Sequence, residues 1–559
     1  MIRQATPAPS PRDHARGRAP RSSALGWLLA ASIVSGIVID SPAAEPDRWE
    51  TFRAEQRAEV ATLPKVPDPE AAPGRNPIDA LMDGWLKANG VEPRPQVEDR
   101  ALARRIHLDA VGLLPTPEAV EAFASDPSPG KAAELAEALL ADRRGYAEHW
   151  ISFWNDMLRN DEQTAIDGLR KPITKWLYQS LHDNAPYDRM VVELLSPGAD
   201  GPDGYLLGVN WRGRVNLSQR PPVQAAQNVA QVFLATSIRC ASCHDGFTTP
   251  WKLTDAYALA GFFSDGPLEI ARCDKPIGTY AAPEFLYPDL GEVAADADLL
   301  TRRAAVARMV VRPKNTRFAR VIANRLWDRL LGRALAEPID EMGEADCPEV
   351  LDWLAADFMA HDYDLKRTIG LILGSEAYRR RAESGVVDDG EPEVGPVPRR
   401  LSSEQFLDAI AAVTGSWPKP KAVVALPLEG EQIRAWRQKR PGALSTALGR
   451  PNREQVVTRR TQEATVLQAL EATNGVELAT RLADGADSLL RSPWGAEADP
   501  AIAIDALFRR SLARPASAAE REALAPLIGK PGDPAEDRKA GVEDVLWIVV
   551  NGPEFQIIR

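Results

Sequence analysis

In GYAEHWISFWNDMLRN, residues 145–160, the large apolar side chains Trp150, Phe153, Trp154 and Met157 fall three and four positions apart. That spacing lines one face of an α-helix and leaves no alternation for a strand. The period recurs at Ile78, Leu81, Met82 and Leu86, at Ile173, Trp176, Leu177 and Leu181, and at Phe318, Ile322, Leu326 and Leu330. Strand-like alternation is almost absent before residue 200. The pattern therefore predicts an all-α fold, and the 46 prolines predict many short helices broken by turns. Start and stop signals agree. Asn76 before Pro77 predicts a capped start and Asn89-Gly90 a stop, and Thr116-Pro117-Glu118 opens a further helix. Thr316 is the expected N-cap of a helix ended by Gly332, and Ser402 with Gln405 forms a capping box. A helix from Gln224 to Ile238 is expected to run straight into Cys240.

Single cores stop growing near about 250–300 residues, so a chain of 559 predicts more than one domain. The expected order is a lead-in at 45–75, an N-terminal domain at 76–265, and a Pro, Gly and acid-rich linker at 266–300. A C-terminal helical domain follows at 301–559, with an acidic linker at 383–398. The result is two large multi-helix blocks with Pro-rich loops and little strand.

The first residues are basic, with Arg12, Arg16, Arg18 and Arg21, and precede Ala24–Ile39, sixteen residues without a charge. That is shorter than the ~20 apolar residues of a membrane span. With the small residues Ser41, Ala43 and Ala44 after it, the segment reads as a signal peptide over 1–44, against an uncleaved anchor as the alternative. Export to the periplasm, cell envelope or exterior is expected, with no membrane span after signal removal. Losing five arginines and two aspartates with that segment takes the net charge from −12 to −15. So acidic a surface excludes nucleic acid and anionic membrane as partners.

The chain has only four cysteines and six histidines, yet RCASCHDG, residues 239–246, places two of the first and one of the second as Cys-x-x-Cys-His. Two thiols at this spacing add to the vinyl groups of one haem, and the adjacent histidine reaches the iron. Cys240 and Cys243 are therefore the candidate tethers of a covalent haem c and His244 its proximal ligand. Two other readings stay open: a disulfide or redox dithiol, and a zinc knuckle completed by Cys273, Cys347 or a histidine. Cys273 and Cys347 either pair with each other or remain free buried thiols. The preferred distal ligand is His149, with His182, His107, Met157 and Met190 behind it, although a His or Met on an apolar helix face usually packs in a core. An iron lacking a sixth ligand is equally permitted, and Met309 sits in a charged context that argues against it.

Weaker constellations are Asp156, Asp161 and Glu162, a carboxylate cluster or a solvated face, and Trp154, Trp176 and Trp211, sugar-stacking platforms or core. No Ser-His-Asp signature, phosphate loop or dinucleotide fingerprint appears, so whether the protein is an enzyme stays open.

HLDAVGLLPTPEAVEAFASDPSP, AEHWISFWNDMLRN, NAPYDRMVVELL and VFLATSIRCASCHDGF, in this order, resemble the planctomycete cytochrome-C-like family. That family pairs two domains of unknown function. The second is resembled by NTRFARVIANRLWDRLLGRALAEPIDEM, RRLSSEQFLDAIAAVTG, LGRPNREQVVTRRTQEATVLQALEATNG and LWIVVNGPEF. The resemblance spans nearly all of residues 76–559 and implies a helical, exported protein with a haem-type motif. The commoner form of the motif continues Asp-His-Pro-Phe, whereas this chain has Asp245-Gly246-Phe247 and so lacks that second histidine. The expected function is an exported c-type haem protein for electron transfer or redox chemistry outside the cytoplasm, serving an unknown redox partner or envelope protein. Its haem is expected beside Phe233, Phe247 and Trp251. The alternative is a haem-free structural or polysaccharide-binding envelope protein whose Cys-x-x-Cys pair is a disulfide.

Overall fold

The computed structural model describes residues 45–69, 74–162, 171–199, 201–207, 216–383, 395–418, 423–426, 432–492 and 499–559, so the expected signal peptide lies outside them. Contacts divide the chain into Met1–Arg48 and Trp49–Arg559, and the second unit is the one described below. The chain is mostly α-helical. Among the described residues the longest helix is Ala535–Asn551, with 17 residues. Among the described residues strand is confined to two antiparallel pairs, Leu268–Arg272 with Lys275–Ala281 and Arg399–Arg400 with Ile557–Ile558. No described helix is long and apolar enough to cross a membrane.

Local chemistry sets many of the helix ends. The Asn76 side chain accepts from the Ile78 amide at 3.0 Å, Pro77 opens the helix, and Gly90 closes it at φ +66°, where a side chain would be strained. Thr116 accepts from the Ala119 amide, and Ser402 and Gln405 cap reciprocally. Two ends differ from expectation. The cap position before Thr316 is Asn315, with Thr316 the first helical residue. The helix leading to the cysteine motif spans Pro221–Leu234 and stops there, because Ala235 turns left-handed at φ +42°. Its last carbonyls are satisfied from outside: Arg317 donates to the Leu234 and Ala235 oxygens, and Thr236 Oγ1 to Leu234.

Among the described residues two apolar cores form, the first mostly before residue 400 but including Val424, Trp436 and Val456, the second largely beyond it. The first draws Trp150, Trp154, Phe233, Phe262, Phe318 and Trp327 together from both sides of 266–300. The second is built from residues 401–558 plus Leu108. The segment expected to be a linker, 266–300, carries the Leu268–Ala281 hairpin. Leu268, Ile270, Phe285, Leu286 and Leu290 are buried there while Ile277 and Tyr280 stay exposed, and a Pro- and acid-rich composition conceals the buried set. Of the expected acidic linker 383–398, residues 384–394 lie outside the described set.

The Asp99–Ala110 helix ties the two cores. Arg104 donates to the Phe555 carbonyl, Arg105 to that of Tyr378, and Gln405 Nε2 to that of Leu108. Asp109, buried, accepts from Tyr378 Oη at 2.6 Å and from both terminal nitrogens of Arg399 at 2.9 and 2.7 Å.

Candidate functional site

The motif sits on a single helical turn at the surface. The Ser242 amide donates to Ile238 O, and those of Cys243 and His244 to Cys240 O at 3.0 and 3.1 Å. The residues between the cysteines are the anchor. Ala241 and Ser242 are buried, and Ser242 Oγ donates to Ile238 O. Cys240 is exposed and Cys243 and His244 are half-buried. His244 Nδ1 donates to the Asp245 carbonyl at 2.8 Å, which leaves the Nε2 lone pair as the free ligand atom. Phe247 is 89% exposed and lies with its ring centroid 4.7 Å from that of His244. Of the other expected haem neighbours, Phe233 is fully buried and Trp251 packs edge-on against Tyr287.

The loop beyond explains the missing second histidine. Asp245 Oδ1 accepts from the Leu253 amide, and the Gly246 amide donates to Trp251 O at 2.8 Å. A Cβ on Gly246 would stand 2.4 Å from Thr249 Oγ1 and 2.8 Å from Thr249 O. No side chain fits there without rebuilding residues 246–251.

Cys243 has a second sulfur beside it. Cys273, in the tip of the hairpin with φ +55°, lies with its Sγ 3.0 Å from Cys243 Sγ, and its amide donates to Cys243 O at 3.1 Å. The neighbouring thiol pushes that of Cys273 up from its ordinary pKa. Asn216 Nδ2 donates to Cys243 Sγ at 3.3 Å. The sulfur neighbour of Cys273 is thus Cys243 rather than Cys347. Cys347 is buried at the head of the Pro348–Ala360 helix, and burial pushes its thiol up to about 12. Among the described residues no group of three or more His, Cys, Asp or Glu is placed to hold a metal ion, so the zinc reading finds no ligand set there.

Among the described residues the side chains in contact with the turn include Phe247, Asn216, Cys273 and Gln455, which receives Arg239. No histidine or methionine is among them. His149 lines a separate cavity with Arg329, Arg434 and Ser152, and burial, then Arg329 and Arg434, hold its pKa well below the ordinary histidine value. His107 bonds to Ala103 O, and His182 stacks on Tyr178 and contacts Asp183. Met157, Met190 and Met309 are core residues.

Asp156 is held by Arg453 at 2.8 Å and Arg460 at 2.6 Å, and Glu162 faces Lys439. Trp154 is buried, Trp176 donates to Glu193, and Trp211 lies outside the described residues. What the sequence reading missed is the density of arginine around His149. Its trace was the doubled Arg399-Arg400 and Arg459-Arg460, with Arg450 and Arg453 nearby.

Fold and turn together define a mostly α-helical protein with a surface Cys-x-x-Cys-His turn. The family model PSCyt2, described as a protein of unknown function (DUF1549), matches residues 77–267. PSD1, described as a protein of unknown function (DUF1553), matches residues 302–528. The chain belongs to the family that pairs these two domains. Comparison with curated proteins and with solved structures gave no match.

Proposed function

We propose that the protein is an exported c-type haem protein working in redox chemistry outside the cytoplasm. The observation that carries this reading is the placement of Cys240, Cys243 and His244 on one solvent-facing turn whose inward side is filled by Ala241 and Ser242. A flat group has access there without displacing core. A bound haem would supply one-electron chemistry at its iron. The chain's own part is to present two sulfurs for thioether bonds to the porphyrin and to aim His244 Nε2 outward by spending Nδ1 on Asp245 O. The exposed ring of Phe247 is placed to cover one edge of such a group.

Cys273 competes for the same atom. A bond between Cys243 and Cys273 would remove one of the two tethers, so the redox history of that pair decides whether both thioethers form. The test is expression of the full chain with a cytochrome c assembly system outside the cytoplasm, followed by intact mass of the denatured protein. One added haem that survives denaturation, lost in Cys243→Ala and kept or increased in Cys273→Ser, is expected. A wild-type chain whose only covalent change is the loss of two hydrogens, with no haem in Cys273→Ser either, overturns the proposal. The starting residue in the same spectrum tests export, with cleavage expected after Ala43 or Ala44.

A further inference from the structure

A cavity of about 70 Å³ lies among the Arg143–Met157 helix, the end of the Thr316–Leu331 helix and the start of the Ser403–Thr414 helix. A second, of about 330 Å³, adjoins it, and Arg329, Arg400, Ser402, Arg460 and Gln462 line both. Most of the arginines here are neutralised. Arg399 faces Asp109, Arg434 faces Asp408, Arg459 faces Asp328, and Arg460 bridges Asp156 and Glu404.

Two are not. Among the described residues the Arg329 guanidinium has neither a hydrogen bond nor an ion pair. Arg400 donates to Gln468 Oε1, an uncharged partner. Arg329 is half-buried, and burial, then Arg399 and Arg460, push its pKa down, as expected of a partly desolvated cation among other cations. Nearly buried polar atoms in the same wall also lack partners: Ser152 Oγ, Arg399 Nε and Glu148 Oε1. Burial raises the pKa of the Glu148 carboxyl, whose other oxygen faces Arg144 at 3.4 Å.

Removing a guanidinium from water without a partner costs free energy, and a multiply charged oxyanion recovers it through planar, charge-assisted hydrogen bonds. The larger lobe has a different lining: Leu401, Leu448 and Leu467 with the hydroxyls of Thr446 and Thr461. That mixture suits an organic group carrying polar substituents. We infer that the paired cavities bind a small organic ligand through its phosphate, sulfate or carboxylate group, which Arg329 and Arg400 hold at the shared wall.

The test is thermal unfolding of the full chain as purified, titrated with sodium phosphate, sodium sulfate or phenyl phosphate against sodium chloride at equal ionic strength. Phosphate and sulfate are expected to raise the Tm saturably. Phenyl phosphate is expected to do so at about tenfold lower concentration, by filling the second lobe. Arg329→Gln and Arg400→Gln break no carboxylate pair, so both should fold, with an unliganded Tm equal to or above wild type. Each should raise the half-saturating concentration about tenfold or more. Chloride matching the divalent anions, or either variant binding phosphate as tightly as wild type, overturns the site. Equal affinity for phosphate and phenyl phosphate overturns the organic part and leaves a free inorganic oxyanion as the ligand. None of these readouts involves the cysteines.

Discussion

The motif turn owes its position to two small buried residues, Ala241 and Ser242, with its reactive atoms left on the outside. The wall around Arg329 is held by the opposite means: arginines and carboxylates drawn from residues far apart in sequence. Asp109 with Arg399, Asp156 with Arg453 and Arg460, and Asp328 with Arg459 are all pairs of this kind. The difference is one of cost. A turn that exposes its chemistry tolerates exchange of those side chains, whereas a buried ion network loses heavily when a single member is removed, because the partner is then left charged and desolvated.

Asp109 gives the largest expected contrast. Its carboxylate joins Tyr378 and Arg399 and sits on the helix that ties the two cores. Asp109→Asn is expected to lower unfolding free energy by roughly 3–5 kcal/mol in urea titration, since it strands Arg399. A loss below about 1 kcal/mol would mean that water reaches this pair, and the comparison with the surface turn would collapse.

How much of each region was legible follows from the same contrast. The turn was readable because its chemistry is local: Cys240, Cys243 and His244 lie within five residues, and the helix-period apolar residues on either side announced the helices. The caps at Asn76, Thr116 and Ser402 were equally local. The Arg329 cavity was not readable, because its pairs span separations such as Asp109 to Arg399. An arginine-rich stretch such as RPNREQVVTRR looks the same in sequence whether its charges face water or one another. The proximity of Cys273 to Cys243 was hidden for a related reason: it depends on a hairpin whose strands carry too few apolar residues to stand out from a loop.

The next effect is smaller and depends on pH. His149 is held well below the ordinary histidine pKa by burial first and then by Arg329 and Arg434. In the unfolded chain that residue takes up a proton as pH falls through about 6.5, while in the folded chain it stays neutral. Its contribution to stability is therefore intact above that pH and declines below it, by at most ~1.4 kcal/mol per pH unit. Asp79, pushed up to about 6 by burial, works in the opposite sense over the same window. The informative quantity is thus the difference between wild type and His149→Gln. Urea midpoints at pH 5 and pH 7 are expected to converge in the variant relative to wild type. An unchanged difference would place His149 in contact with water, and the cavity would then resemble the turn.

The smallest effect is expected on the turn itself. Cys240 is exposed and its thiol is free, so Cys240→Ser exchanges one small group for another where solvent already reaches both. Surface substitutions of this kind fall within about 0.5 kcal/mol. The comparison becomes sharp because the same substitution removes a sulfur that covalent haem attachment requires. Urea unfolding of the haem-free chain should therefore be indistinguishable between wild type and Cys240→Ser, while the added haem that survives denaturation should be lost from the variant's intact mass, as in Cys243→Ala. A Cys240→Ser chain destabilised by more than 1 kcal/mol without haem would show that the thiol packs against the protein. The solvent-facing turn on which the haem proposal rests would then be wrong.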